Sequence, residues 1–231
     1  MMSANSPFKN IAGHLFVLVL FLAVFACSLA VRTFVFKREE ARIGNCYEKY
    51  KEQLPQPQTG PFIPFFVESS IMYAYSADVA SGRGIPEYDR LLPTNRDVKV
   101  VEQDTVGLEY FLGYGYRLKN RIFPSPELKP NEQIYEDNPY FTNFARSQIR
   151  FWASTISALI FLFLIVMRCP WPLAVAGGLL HAVSPAGIAR YTGQDIVRGE
   201  FCMPLIILML VIAFWYLGRP SKLKLVLLGI V

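Results

Sequence analysis

Four stretches of this chain contain no Asp, Glu, Lys or Arg, and they constrain its fold more than anything else. They cover residues 11–31, 151–167, 169–189 and 201–218, with lengths of 21, 17, 21 and 18. An α-helix rises about 1.5 Å per residue, so about 20 apolar residues cross a hydrocarbon core roughly 30 Å thick. Inside lipid each backbone N–H and C=O finds its partner within the protein, which makes these runs helices. The expected fold is an all-α integral membrane protein with about four transmembrane helices. Its expected layout is a first transmembrane helix at 11–35 and a mostly helical external loop domain at 36–148. Helices two to four, with the start of a possible fifth, fill 149–231.

Charge divides along the same lines. Residues 32–150 hold 16 Lys/Arg and 16 Asp/Glu, so the polar segment is neutral. The net charge of +5 sits on Lys9, Arg168, Arg219, Lys222 and Lys224, once Arg190 and Arg198 offset Asp195 and Glu200. A nucleic-acid partner is excluded, because no basic stripe exists to follow a phosphate backbone. With the N-terminus cytoplasmic, those five cations fall on the inner side, as the positive-inside rule asks. The long loop and the turn at 184–200 then lie outside. Arg32, Lys37 and Arg38 oppose this, but they border a long loop, where the rule has little force. Cys27, Cys46, Cys169 and Cys202 offer neither a disulfide framework nor zinc-ligand spacing.

Near the end of the first run, Ser28-Leu29-Ala30 resembles a signal-peptide cleavage site. A signal core is usually about 7–15 residues, so the longer run favours an uncleaved anchor. The charge-dense residues 37–54 continue as a helix until Pro55, Pro57, Gly60, Pro61 and Pro64 break it. Residues 65–81 read as a second helix, closed by Gly82 and Gly84 with Pro86 beyond. Glu68 sits in its first turn, where the helix dipole favours an anion. Residues 103–118 carry Tyr110, Phe111, Tyr114 and Tyr116 at helical spacing. They fit either a helix on the membrane surface or the core of the loop domain.

Asn138-Pro139 reads as a helix start, with Asn as cap and Pro in the first position, running into the second span. Arg168-Cys169-Pro170-Trp171-Pro172 leaves room only for a tight turn. In the third run Gly177-Gly178 permits close helix contact, and His181 reads as a hydrogen-bonded packing residue rather than a ligand. Trp215-Tyr216 and then Arg219 close the fourth run as an aromatic belt and a basic anchor. Residues 223–231 begin a further apolar run too short to span, so the expectation is a larger multi-span protein that has been cut.

The turn between the third and fourth runs holds the only two acids after residue 137, Asp195 and Glu200, beside Arg190 and Arg198. Charges kept at a membrane surface by flanking helices are first a functional hypothesis, although any helical hairpin needs some polar turn. The topology puts Glu68 on the same outer face. Acids gathered from separate loops can hold a hard divalent cation, Mg²⁺ or Mn²⁺, and leave positions for a substrate phosphate. The expected ligands are Glu68, Asp195 and Glu200. Such an ion neutralises a diphosphate leaving group, while Glu68 or Asp195 orients or deprotonates an acceptor. Arg190 and Arg198 either compensate the acids or face the donor phosphate. The plainer alternative pairs Asp195 and Glu200 with the two arginines alone and turns Glu68 to solvent.

At these residues the chain resembles the GT-C glycosyltransferases, especially the oligosaccharyltransferase catalytic subunit family. The shared layout is a first span, a long external loop with an acidic residue, two spans joined by a tight turn, and an external acidic turn. Glu68-Ser69-Ser70-Ile71-Met72-Tyr73 is similar to the family's Asp-Pro-x-x-x-Tyr element, with Glu for Asp and no Pro. Asp89-Arg90 followed by Pro93 resembles Asp-x-Arg…Pro-x-Gly without its Gly. Arg190-Tyr191-Thr192-Gly193-Gln194-Asp195 resembles the turn Arg-x-x-x-Gly-x-x-Asp-x-Glu. Here the Asp comes one residue early and Glu200 lies five residues beyond it rather than two.

The resemblance implies acids that bind a metal and a sugar donor carried on a polyprenyl phosphate or diphosphate. It also implies a protein or glycan acceptor and a bacterial inner (cell) membrane location, with the chain as the N-terminal part of the enzyme. The string Glu136-Asp137-Asn138-Pro139-Tyr140-Phe141 competes with Glu68 for the first-loop acid, though helix capping explains it. The competing class is a non-catalytic membrane assembly or scaffold protein. A transporter fits less well, because no apolar run carries a charge to mark a pathway.

Overall fold

A computed structural model describes residues 11–50, 52, 67–88, 99–100, 106–125, 139–185, 188, 198–218 and 220–231. Among these residues the named elements are all helices: α1 (Ile11–Tyr50), α2 (Val67–Ser81), α3 (Gly107–Ile122), α4 (Pro139–Val166), α5 (Trp171–Val183), α6 (Arg198–Gly218) and α7 (Lys222–Ile230). The one extended pairing among them is an isolated bridge, Tyr88 to Lys99. The chain divides into two compact units. A membrane unit comprises Met1–Val35, Arg150–Tyr191 and Glu200–Val231, and a loop unit comprises Phe36–Ile149 and Thr192–Gly199.

Among the described residues three helices are long and apolar enough to cross a membrane: Ala12–Tyr50, Tyr140–Val166 and Phe201–Gly218. At 40 residues, α1 is about 60 Å long, twice the hydrocarbon thickness. It buries one stripe, Val17, Val24, Ser28 and Arg32, at intervals close to whole helical turns. A second apolar face points outward, with Leu15, Leu18, Val19 and Leu22 each more than half exposed. A soluble protein rarely shows so continuous an apolar face, whereas lipid covers it without penalty.

Because lipid tails are as apolar as leucine, close packing and hydrogen bonds hold such helices together, not the hydrophobic effect. The core of the membrane unit joins Val17 and Val24 of α1, Phe161 and Ile165 of α4, and Ala174 of α5. Gly178 makes the close approach possible. A Cβ there would lie 2.8 Å from the Ser157 carbonyl oxygen and 2.8 Å from a Val24 methyl. Phe25 against Phe151 and Phe163 against Phe214 add edge-to-face ring contacts at 5.0 and 5.4 Å.

The turn from α4 to α5 is as tight as the sequence requires. Arg168 adopts φ 63°, its N–H donates to the Ile165 carbonyl, and the Cys169 N–H donates to Leu164. That paired 5→2 and 6→1 closure is a Schellman motif, built on arginine where glycine is usual. After it, α5 runs for 13 residues, about 20 Å. The third run, expected at 169–189, is interrupted at Ser184, whose backbone is extended at φ −64°, ψ 135°. Pro185 explains the break, since the residue before proline is driven out of the helical region. The Ile188 N–H then donates to the Ser184 carbonyl.

In α6, Pro204 lies inside the helix and removes a donor from the carbonyl four residues back. Beside it Trp152 of α4 donates its Nε1–H to the Phe201 carbonyl at 2.7 Å and stacks on the Phe201 ring. At the end of α6 the Lys224 ammonium donates to the Trp215 carbonyl at 3.0 Å and lies 4.4 Å from the Trp215 ring centre.

In the loop unit, α2 ends where the sequence places its stop. Gly82 takes φ 89°, and Gly82 N–H to Val79 and Arg83 N–H to Asp78 repeat the Schellman closure. α3 packs on α2 through Gly113, where a Cβ would come within 2.5 Å of Val79. An aromatic cluster binds these helices to the start of α4. Tyr116 meets Phe141 and Phe144 at 5.2 and 5.4 Å. Tyr73 packs on Phe141 and shares a 2.8 Å hydrogen bond with Thr142 Oγ1.

Candidate functional site

The expected site residues divide by what the structure describes. Glu68 is the second residue of α2 and Glu200 the third of α6, but their side chains lie outside the described residues, as do Arg190 and Asp195 entirely. The Asp89-Arg90…Pro93 string and the competing acids Glu136 and Asp137 lie outside them as well. Among the described residues no three His, Cys, Asp or Glu side chains are grouped to hold a metal ion. Tyr73, the last residue of the first resembling motif, is buried in the aromatic cluster.

Arg198 is the described member of the set, and its partner is unexpected. Its Nε and Nη2 both donate to Glu109 Oε1, at 2.8 and 2.6 Å. Glu109 lies in the first turn of α3, 89 residues away. Its side chain is 0% exposed and that of Arg198 15%. Charges leave water at a cost of several kcal/mol each, so an ion pair this deep persists only with close, doubly donated geometry. Arg198, near the end of the 184–200 stretch, is therefore fastened to the buried Glu109 of α3.

A second polar group runs through the membrane unit. Arg32 is fully buried and donates from Nη1 to Ser28 Oγ, one turn back on α1, at 2.5 Å. Ser28 Oγ lies 3.0 Å from Ser157 Oγ of α4. Ser157 Oγ in turn lies 2.9 Å from Nδ1 of His181 on α5. A guanidinium only donates, so Arg32 donates to Ser28, and a direction running on from Ser28 to Ser157 to His181 is consistent with it. One hydrogen-bonded chain thus ties three helices, and it includes a charge that the uncharged run 11–31 stops one residue short of.

Sequence reasoning missed Glu109 and the Arg32–Ser28–Ser157 chain, although both left signals. Glu109, Leu112, Gly113 and Tyr116 share one helical face, so a lone acid stands among residues that pack. Ser28 and Arg32 extend the stripe begun by Val17 and Val24, which carries the buried face past the first charge. His181 reads as a hydrogen-bonded packing residue, and its Nδ1 lies 2.9 Å from Ser157 Oγ. Compared with known proteins, the chain matches no family model, no curated protein and no solved structure.

Proposed function

We propose that this chain is the N-terminal part of a membrane glycosyltransferase that moves a sugar from a polyprenyl-phosphate or -diphosphate carrier to a protein or glycan on the external face. It crosses the bacterial inner membrane four times, with residues 169–189 as the third, interrupted span, its N-terminus cytoplasmic and its large loop outside. In the reaction the bond from the anomeric carbon to the carrier phosphate breaks, and the acceptor nucleophile bonds to that carbon. The acceptor proton passes to Glu68 or Asp195. The carboxylates of Glu68, Asp195 and Glu200 are hard oxygen donors suited to Mg²⁺ or Mn²⁺, and such an ion when bound neutralises the departing phosphate. Arg190 faces the donor phosphate, whereas Arg198 acts as a positioning residue through Glu109.

The observation that carries this reading is the buried Glu109–Arg198 pair. A turn that merely joins two helices has no need of a carboxylate sunk into another helix to hold its end. Arg198 lies two and three positions from Glu200 and Asp195 in the sequence, and catalytic acids work only when held in place. The same pair supports a second reading, a non-catalytic assembly protein, because it engages the arginine without any substrate.

Transfer decides between them. The full-length protein in proteoliposomes, given a radiolabelled polyprenyl-diphosphate sugar and membrane glycan acceptors, is expected to release labelled product. Asp195→Asn and Glu68→Gln are expected to abolish release while leaving the folded fraction unchanged. Absence of transfer by the wild type, or full activity in both variants, overturns the enzyme reading.

A further inference from the structure

The aromatic helix of the loop unit was open to two readings, membrane surface or domain core. The structure gives this helix one buried and one exposed face. Leu108, Glu109, Leu112, Gly113 and Tyr116 are buried on one face. The opposite face carries Tyr110, Phe111, Tyr114, Leu118 and Ile122, exposed by 37% to 62%. These residues follow the spacing of a single helical face over about three turns, roughly 18 Å. Tyr110 and Tyr114 stack on each other at 5.7 Å, and Arg117 lies over the Tyr114 ring at 5.8 Å.

The geometry points to this face as a docking surface for the headgroup layer of the same membrane that the chain spans, with a preference for anionic lipid. Two observations favour lipid over another occupant. The first is charge. Arg117 and Arg121 are exposed among the aromatic residues, while the only acid of α3, Glu109, is buried on the far face in its pair with Arg198. The exposed face is therefore aromatic, aliphatic and purely cationic, the composition that lies in the headgroup–acyl boundary of anionic membranes. The second is continuity with the membrane-crossing helix. Tyr116 on α3 packs against Phe144 of α4, and α4 enters its apolar run at Phe151 seven residues on. Seven residues are about 10 Å of helical rise, so the α4 residue that α3 packs on precedes the apolar run by about two helical turns. The inference does not rest on the transferase reading.

A depth measurement tests it. The full chain, with Cys27, Cys46, Cys169 and Cys202 replaced by serine or alanine, takes a nitroxide at Tyr114→Cys or Leu118→Cys. A comparison label goes at Glu87→Cys, which is exposed in the same unit. In liposomes containing phosphatidylglycerol, labels at 114 and 118 are expected to collide with oxygen several-fold more often than with a water-soluble nickel chelate. The label at 87 is expected to show the reverse. Removing charge with Arg117→Gln and Arg121→Gln together is expected to lower the oxygen-to-nickel ratio at 118 by twofold or more. A water-like ratio at 118 overturns the inference. So does a label immobilised and shielded from both reagents, the signature of a protein partner or a second copy. An unchanged ratio in the arginine variant overturns the preference for anionic lipid.

Discussion

Replacing Glu109 by glutamine keeps the side-chain shape but removes the charge that compensates Arg198. Both Arg198 donors reach a single oxygen, Oε1, and the guanidinium keeps only 15% side-chain exposure, so water offers little replacement. Removing one partner of a buried pair costs about 3–5 kcal/mol. Partial exposure of Arg198 puts this site at the low end, about 3 kcal/mol. For a chain of this size that corresponds to a fall in apparent Tm of roughly 6–12 °C. Thermal unfolding in detergent, followed by near-ultraviolet circular dichroism, measures it. The double variant Glu109→Gln/Arg198→Met removes both charges and is expected to recover more than half the loss, because a neutral pair leaves no stranded charge. A loss below about 1 kcal/mol for Glu109→Gln is the behaviour of a surface ion pair and refutes the reasoning. Additive losses in the double variant refute it equally.

The remaining predictions address packing in each unit. Gly113→Ala pushes a methyl to within 2.5 Å of the Val79 side chain and 2.9 Å of the Ser76 carbonyl. It is expected to separate α2 from α3 at a cost of about 1–3 kcal/mol, read as faster proteolysis of the loop unit. Gly178→Ala meets the Ser157 backbone and Val24, and is expected to destabilise the membrane unit by a similar amount, seen as a lower Tm. Ser157→Ala breaks the hydrogen-bonded chain in the middle, at both Ser28 and His181. Interhelical hydrogen bonds in membranes are worth about 0.6–2 kcal/mol, so the expected loss is about 1 kcal/mol, and Ser157→Thr is expected to retain more of it.

Much of the helical layout is legible because single residues govern it. An uncharged run of membrane length has almost no alternative to a helix, and glycine after Ser81 or two prolines after Cys169 leave little freedom in how a helix stops. The extent of the third run was harder to read. Pro185 looks like part of a polar turn, and its effect on the residue before it ends α5 at Val183. Buried charge was the least legible. Arg32 and Glu109 each look like ordinary surface residues in a linear reading, since composition cannot tell which helical face a neighbour will cover. Only the three-dimensional meeting of α3 with residue 198, 89 positions apart, gives Glu109 its role. The acids Glu68, Asp195 and Glu200 stand out in sequence by their placement, and one measurement tests whether their carboxylates share an ion.

That measurement is Mn²⁺ binding by the full-length protein in nanodiscs, followed by electron paramagnetic resonance. In the proposed site, acids from the first loop and from residues 184–200 share one ion. Affinity for a hard cation depends on how many carboxylates contribute charge. The wild type is expected to bind one Mn²⁺, and Glu68→Gln and Asp195→Asn are each expected to weaken binding by about tenfold or more. A wild type that binds no Mn²⁺, or a Glu68→Gln variant that binds it as tightly as the wild type, contradicts the shared site.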